Sequence, residues 1–187
     1  MKDAPRKAVL LDRDGTVTFD KSYCGDPDQI ELIPGAAEAL RDLSAAGYLL
    51  VLVSNQSGVA LGYFDEVAMV ACDVRLGTLL QEQGIALAAS YYCVHSDEDA
   101  CGCRKPAPGM ARWAANDLGL DLSSCFVIGD KTSDIGFAKN AGCRSVLVKT
   151  GYAGTDGRCD VEPDFVAEDI AEAARFILDG APAGKQE

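Results

Sequence analysis

Asp12 and Asp14, in the run Asp12-Arg13-Asp14-Gly15-Thr16, stand one residue apart directly after the apolar stretch Ala8-Val9-Leu10-Leu11. Side chains along a strand alternate, so residues i and i+2 point the same way. A strand ending here would aim both carboxylates at one small volume. Two such groups repel unless a proton or a cation lies between them. The chemistry that fits is a divalent-cation site, with Mg²⁺ as the hard, oxygen-seeking choice, and a carboxylate free to act as nucleophile. Two exposed turn aspartates beside a glycine are the plainer alternative.

A second constellation is sulfur-rich. Cys93-Val94-His95 and Cys101-Gly102-Cys103 give the pattern Cys-x-His-x5-Cys-x-Cys, and His95 is the chain's one histidine. Three thiolates and an imidazole complete a tetrahedral structural Zn²⁺ site, with a disulfide or free thiols as alternatives. The polar segment 96–100 has no core of its own, and a metal clip over 93–103 would order it. Four protein ligands leave no open position, so this zinc would be structural. The cluster runs directly into Arg104-Lys105-Pro106, so it would fix the loop that aims both cations.

Two further polar runs follow apolar stretches. Ser54-Asn55-Gln56-Ser57-Gly58 offers hydroxyls, amides and backbone N–H groups suited to phosphate oxygens. Gly129-Asp130-Lys131-Thr132-Ser133-Asp134 adds two acids. Asp130 could complete a Mg²⁺ shell, and Asp134 could orient Lys105 or Lys131, or cap a helix.

The elements that must position these groups alternate in type. Apolar, β-branched runs at 8–11, 49–53, 91–94, 125–128 and 145–148 read as strands. Between them, helices are expected from Pro34-Gly35 to about Gly47, over 64–83 with Val67, Val70 and Val74 on its apolar side, over 108–118, from Thr132 or Ser133 to Gly142, and over 167–178. Alternation of this kind implies an α/β fold, a parallel sheet with helices on both faces. In such sheets ligands bind beyond the carboxyl ends of the strands, where Asp12, Ser54-Asn55 and Asp130 fall. No linker divides the chain, so residues 1–187 are expected to form one domain with a loose tail over about 180–187.

The chain has 187 residues and a formal net charge of −12. That field opposes a nucleic-acid partner, so phosphate binding needs a local cationic pocket. No apolar run is long enough to span a bilayer, and the start of the chain shows no signal core, which together suggest a cytoplasmic protein. The remaining cysteines, Cys24, Cys72, Cys125, Cys143 and Cys159, are expected to be thiols.

The order Asp-x-Asp-Gly-Thr, Ser-Asn, Lys-Pro, Gly-Asp-x-x-x-Asp resembles the haloacid dehalogenase superfamily of phosphotransferases. With the Cys/His loop, it is similar to the D-glycero-D-manno-heptose-1,7-bisphosphate 7-phosphatases and the related histidinol-phosphate phosphatases. The resemblance implies a Rossmann-like fold without a large cap domain. It makes Asp12 the nucleophile that forms an aspartyl-phosphate and Asp14 the acid/base. It places Mg²⁺ on the Asp12 and Asp130 carboxylates and the Asp14 carbonyl, and gives Ser54 and Lys105 the phosphoryl oxygens. Asp20, Lys21, Ser22 and Tyr23 map onto a substrate loop, Arg104 onto the residue that meets the distal part of the substrate, and Lys131 onto a residue beside the metal. Leu61 departs from the family, which often carries Arg there. The reading is thus a monomeric, Mg²⁺-dependent heptose bisphosphate phosphatase acting on a small phosphorylated sugar. Histidinol-phosphate phosphatase and a non-catalytic zinc-stabilised binding module are the alternatives.

Overall fold

The computed structural model describes residues 6–180. The expected tail therefore lies, apart from Gly180, outside the described residues. Six strands form one parallel sheet: β1 (Ala8–Leu11), β2 (Leu49–Asn55), β3 (Ala89–Cys93), β4 (Phe126–Gly129), β5 (Arg144–Val148) and β6 (Phe165–Ala167). Their spatial order is β3-β2-β1-β4-β5-β6, every neighbouring pair parallel. The order reverses at β1, with β2 on one side and β4 on the other. That switch point opens a crevice at the carboxyl edge, where Asp12 leaves the sheet.

Burial on both faces makes the strands continuously apolar. Along β1, Val9 and Leu11 enter one core while Ala8 and Leu10 enter the other. The first core is closed by α1 (Ala36–Ala45), α2 (Glu66–Glu82) and α5 (Ile170–Leu178), through residues such as Leu40, Leu43, Leu76, Leu80 and Ile177. The second is closed by α3 (Gly109–Leu118) and α4 (Thr132–Ala141), through Met110, Ala111, Ala114, Phe137 and Ala138. Among the described residues no domain is inserted after β1 or β2, since segments 12–35 and 56–65 contain only one short 3-10 turn. No described helix is long and apolar enough to cross a membrane.

Three elements differ from the sequence expectation. In α2 the valines do not face the core: Val67 is 77 % exposed, Val70 53 % and Val74 63 %. Met69, Cys72, Leu76 and Leu80 are buried instead. Two apolar stripes compete on this helix, and the one with longer side chains buries more area against the sheet. Helix α4 begins with Lys131, not Thr132 or Ser133, as its N-cap residue; the Asp134 carboxylate accepts the Lys131 N–H at 3.0 Å. Residues 165–167 form the short edge strand β6, and the last helix starts only after Asp169, whose side chain accepts the Glu172 N–H at 2.8 Å.

The two faces of α2 should separate in mutational cost. Leu76→Ala is expected to destabilise the fold by about 2–5 kcal/mol through a cavity. Val70→Ser should change it by no more than about 0.5 kcal/mol. Urea unfolding of the two variants checks this, and equal losses would contradict the burial assignment.

Candidate active site

The carboxyl edge of β1, β2 and β4 gathers acids around one buried lysine. Asp12 follows β1 and its N–H donates to Ile128 O of β4 at 3.0 Å, which locks the residue to the sheet. Lys105 Nζ lies 2.6 Å from Asp12 Oδ1 and 2.6 Å from Asp134 Oδ1, and donates to Val53 O at 2.9 Å. Burial opposes charge on Asp12, but Lys105 and Lys131 outweigh it and hold the carboxyl below its usual range. Burial likewise opposes the ammonium of Lys105, yet Asp12 and Asp134 raise its pKa overall. Burial raises Asp134, partly offset by Lys105. Asn55 holds the lysine in place from the main chain: its Oδ1 accepts the Lys105 N–H at 3.0 Å and its Nδ2 donates to Lys105 O at 3.1 Å.

Asp130 is fully buried beside this group. Its Oδ2 accepts the Tyr152 N–H at 2.7 Å, while Oδ1 has no hydrogen-bond partner and Lys131 Nζ stands 3.9 Å away. Burial and the charge of Asp12 push its pKa up to about 7. The close approach is possible because Gly15, at φ +86°, has no Cβ; one placed there would lie 2.5 Å from Asp130 Oδ2. Ligand oxygens of Asp12, Asp130 and Asp134 lie within 4.8 Å of one another. A buried carboxylate oxygen with no partner, next to a second carboxylate, is a donor set that fits Mg²⁺.

The Asp14 carboxylate does not join that cluster, contrary to the convergence expected from i, i+2 spacing. The chain turns at Gly15, and buried Arg13 takes the Asp14 carboxylate with Nε at 3.0 Å and Nη2 at 2.9 Å. Gln56 Nε2 donates to Asp14 Oδ2 and to Ser54 Oγ, each at 2.9 Å, and its Oε1 accepts from Arg13 at 3.1 Å. The third acid of the cluster is Asp134, which serves at once as lysine partner and helix cap.

Above these groups lies a cavity of about 450 Å³. Asp14, Asp20, Ser22, Tyr23, Asn55, Gln56, Ser57, Arg104, Lys105 and Lys131 all line it. Ser22 and Tyr23 adopt positive φ of 51° and 54°, and Tyr23 stacks on Tyr63 with ring centroids 4.5 Å apart. Lys131 Nζ sits 3.8 Å from Asp20 Oδ2 and 4.6 Å above the Tyr152 ring, and its pKa is raised despite burial by Asp12, Asp130, Asp134 and Asp20. Lys21 is not brought in: it pairs with Glu31 at 3.6 Å and lines a separate surface groove. Sequence reasoning missed Asp97, Ser133, Tyr152, Asp156 and Arg158, which also line the cavity. Tyr152, Asp156 and Arg158 come from the segment after β5, where no motif marks them.

The Cys/His cluster forms where β3 ends. Sγ···Sγ distances among Cys93, Cys101 and Cys103 are 3.3, 3.4 and 3.6 Å, and His95 Nδ1 lies 3.6 Å from Cys93 Sγ and 3.3 Å from Cys103 Sγ. A disulfide would need about 2.05 Å. With Zn–S at about 2.3 Å, the edge of a tetrahedron is about 3.8 Å, so the four ligands fit a zinc ion closely. Burial pushes the Cys93 thiol up. At Cys101 burial acts the same way, but N–H groups of Arg104 and Cys103 bring its pKa down to about 7.

The doubly wound parallel sheet, with an acid–lysine cluster at its switch point and no inserted cap, defines a hydrolase of the haloacid-dehalogenase-like class. The HAD-hydrolase-like family model matches residues 102–173. A D-glycero-beta-D-manno-heptose-1,7-bisphosphate 7-phosphatase of Pasteurella multocida is 42 % identical over 180 residues, covering 92 % of this chain and 97 % of its own. The corresponding D-glycero-D-manno-heptose enzyme of Thermosynechococcus vestitus is 39 % identical, covering 92 % and 96 %. Among solved structures, D,D-heptose 1,7-bisphosphate phosphatase from B. bronchiseptica, complexed with magnesium and phosphate, superposes with a TM-score of 0.84 at 35 % identity, over 94 % of this chain and 99 % of that one. The chain belongs to the D-glycero-D-manno-heptose-1,7-bisphosphate 7-phosphatase family.

Asp130 ties function to stability. Its carboxyl is raised from 3.8 to about 7, so between those values the unfolded chain ionises while the folded chain resists. The metal-free fold therefore loses stability as pH rises through that window. Asp130→Asn should raise the melting temperature of metal-free protein at pH 8, by about 2–4 °C per kcal/mol of relieved cost. The same change should abolish stabilisation by added Mg²⁺. Thermal melts with and without Mg²⁺ check both, and a lower metal-free midpoint would contradict the assignment.

Proposed function

We propose that the protein removes the C7 phosphate of D-glycero-D-manno-heptose 1,7-bisphosphate, leaving heptose 1-phosphate and inorganic phosphate. The observation that carries this reading is Lys105 buried between Asp12 and Asp134, beside the partnerless Asp130 Oδ1, in a cavity that arginine also lines. Lys105 occupies Asp12 Oδ1, so Oδ2 is the attacking atom. The Asp12 O–P bond forms, the P–O7 bond breaks, and Asp14 gives its proton to O7. Water then attacks the aspartyl-phosphate, Asp14 takes a proton from it, and the Asp12–P bond breaks. Arg13 and Gln56 hold Asp14 for both proton transfers. Ser54, Lys105 and neighbouring N–H groups offset charge on the phosphoryl oxygens. Asp12, Asp130 and the Asp14 carbonyl would hold Mg²⁺, which supplies Lewis-acid neutralisation of phosphoryl charge.

Asp20, Ser22, Tyr23, Asn55, Gln56, Ser57 and Lys131 shape the substrate wall; Lys21 acts only through the loop it belongs to. Cys93, His95, Cys101 and Cys103 hold a structural Zn²⁺ that fixes Arg104 and Lys105. Residues 1–187 act as one catalytic domain, monomeric and cytoplasmic. The other five cysteines, Cys24, Cys72, Cys125, Cys143 and Cys159, form no disulfide in the structure.

Asp12→Asn should reduce turnover by at least about 10³-fold with the fold intact, since an amide neither attacks phosphorus nor ligates Mg²⁺ as a carboxylate does. A phosphate-release screen of wild type and variant should use both heptose 1,7-bisphosphate anomers, histidinol phosphate and simple monophosphates. Preference for a heptose bisphosphate is expected; preference for histidinol phosphate, or an active Asp12→Asn, would overturn the reading. Elemental analysis of protein purified without added metal should find one Zn²⁺ per chain, and its removal by chelator should lower activity. A zinc-free, fully active preparation would sink the structural-zinc assignment.

A further inference from the structure

Arg158 and Arg104 meet at one carboxylate on the cavity wall. Arg104 Nε donates to Asp97 Oδ1 at 2.6 Å, and Arg158 Nη2 to Asp97 Oδ2 at 2.7 Å. Asp97 and Arg158 side chains are each about half exposed, at 53 % and 54 %. Exposed ion pairs contribute about 0–1 kcal/mol to stability, so this bridge is a poor reason for placing two arginines together. The local structure nevertheless fixes the Arg158 backbone with care. Thr132 Oγ1, at the first turn of α4, accepts the N–H groups of Arg158 and Cys159 at 3.2 and 3.0 Å. In return, Asp156 accepts the N–H groups of Thr132 and Ser133 at 2.6 and 3.3 Å. The segment after β5 is thereby docked on the same helix start that follows Asp130, and Arg158 is held among the residues that line the cavity.

We propose that Arg104 and Arg158 together seat the phosphate that is not transferred, and that Arg158 sets the preference for a doubly phosphorylated substrate. Two guanidinium groups converging on one small anion are what a phosphate monoester requires: planar forks, several N–H donors and permanent charge. Asp97 already presents an anion to both forks, and its two oxygens are held as two oxygens of a phosphate would be. A dianionic phosphate outbids a single carboxylate on an exposed side chain, so Asp97 gives way while keeping the empty pair aligned. Arg104, Arg158 and Asp97 line the same cavity as Asp14, Lys105 and Lys131, so the two sets of groups face one shared space. This inference rests on the bisphosphate reading above and adds Arg158 to it.

The test compares wild type, Arg158→Ala and Arg158→Lys in steady state with Mg²⁺. Substrates are heptose 1,7-bisphosphate, fructose 1,6-bisphosphate and p-nitrophenyl phosphate. Loss of charged hydrogen bonds should lower kcat/KM of Arg158→Ala on a bisphosphate by about 10–100-fold. Most of that loss should appear in KM, with a far smaller loss on p-nitrophenyl phosphate and partial recovery in Arg158→Lys. A damaged fold would lower all substrates together, and urea midpoints of the variants identify that case. Equal losses on bisphosphate and monophosphate with an unchanged midpoint, or no loss on either, would overturn the proposal. If wild type prefers fructose 1,6-bisphosphate and the selective loss persists, the heptose reading fails and the role of Arg158 stands. If wild type cleaves no bisphosphate, both fall.

Discussion

A lysine ammonium taken wholly out of water is costly unless charge and hydrogen bonds replace its solvent. Lys105 meets that condition with Asp12, Asp134 and Val53 O, one group from each of three separate segments of the sheet edge. Each of the three replaces part of the ammonium's lost solvation, and removing both carboxylates would leave an uncompensated charge in the interior. The condition also runs the other way. Asp12 stays ionised in a buried position because Lys105 and Lys131 stand beside it, so the reactive carboxylate and the cation require each other. Asn55, the helix start at Lys131 and the glycine turn after Asp14 are arranged around this pair.

The cavity is polarised by solvation. Its floor is buried, with charges matched almost one for one, while its outer wall holds ion pairs open to water. Electrostatic interactions are strong on the floor, where bonds to phosphorus would change, and weaker and exchangeable at the wall, where a ligand must arrive and leave. The Arg13–Asp14–Gln56–Ser54 network joins the two zones, fixing one carboxylate between the dry interior and the opening.

Much of this was legible from residue types and order. Strand β1 is apolar throughout because both faces are covered, and the acids follow it at once; β2 and β4 repeat the pattern with Ser54 and Asp130. The zinc-type spacing reads directly from Cys93 to Cys103. What sequence left hidden depends on three-dimensional competition. Helix α2 carries two apolar stripes, and only docking selects Leu76 and Leu80 over Val70 and Val74. Asp14 shares its strand face with Asp12 on paper, but the turn at Gly15 and the neighbouring Arg13 draw its carboxylate elsewhere. Asp97 and Arg158 lie in polar segments far apart in the chain, and their meeting depends on how residues 149–164 fold back onto α4. No local periodicity encodes a contact of that kind.

The position of β1 has a consequence for how the chain is made. Among the described strands it comes first in the chain, yet it sits in the middle of the sheet, between β2 and β4. While a ribosome is still extending the chain, β1 can pair with β2 but has a bare edge until β4 emerges. Asp12 spends that interval without Asp130 or Asp134, which both follow β4 in the chain. Contacts so distant in sequence close slowly, and an apolar strand left waiting with one open edge invites pairing with other nascent chains. The same topology that places the acids at a switch point therefore makes vectorial synthesis the period in which this chain is most exposed to misassembly.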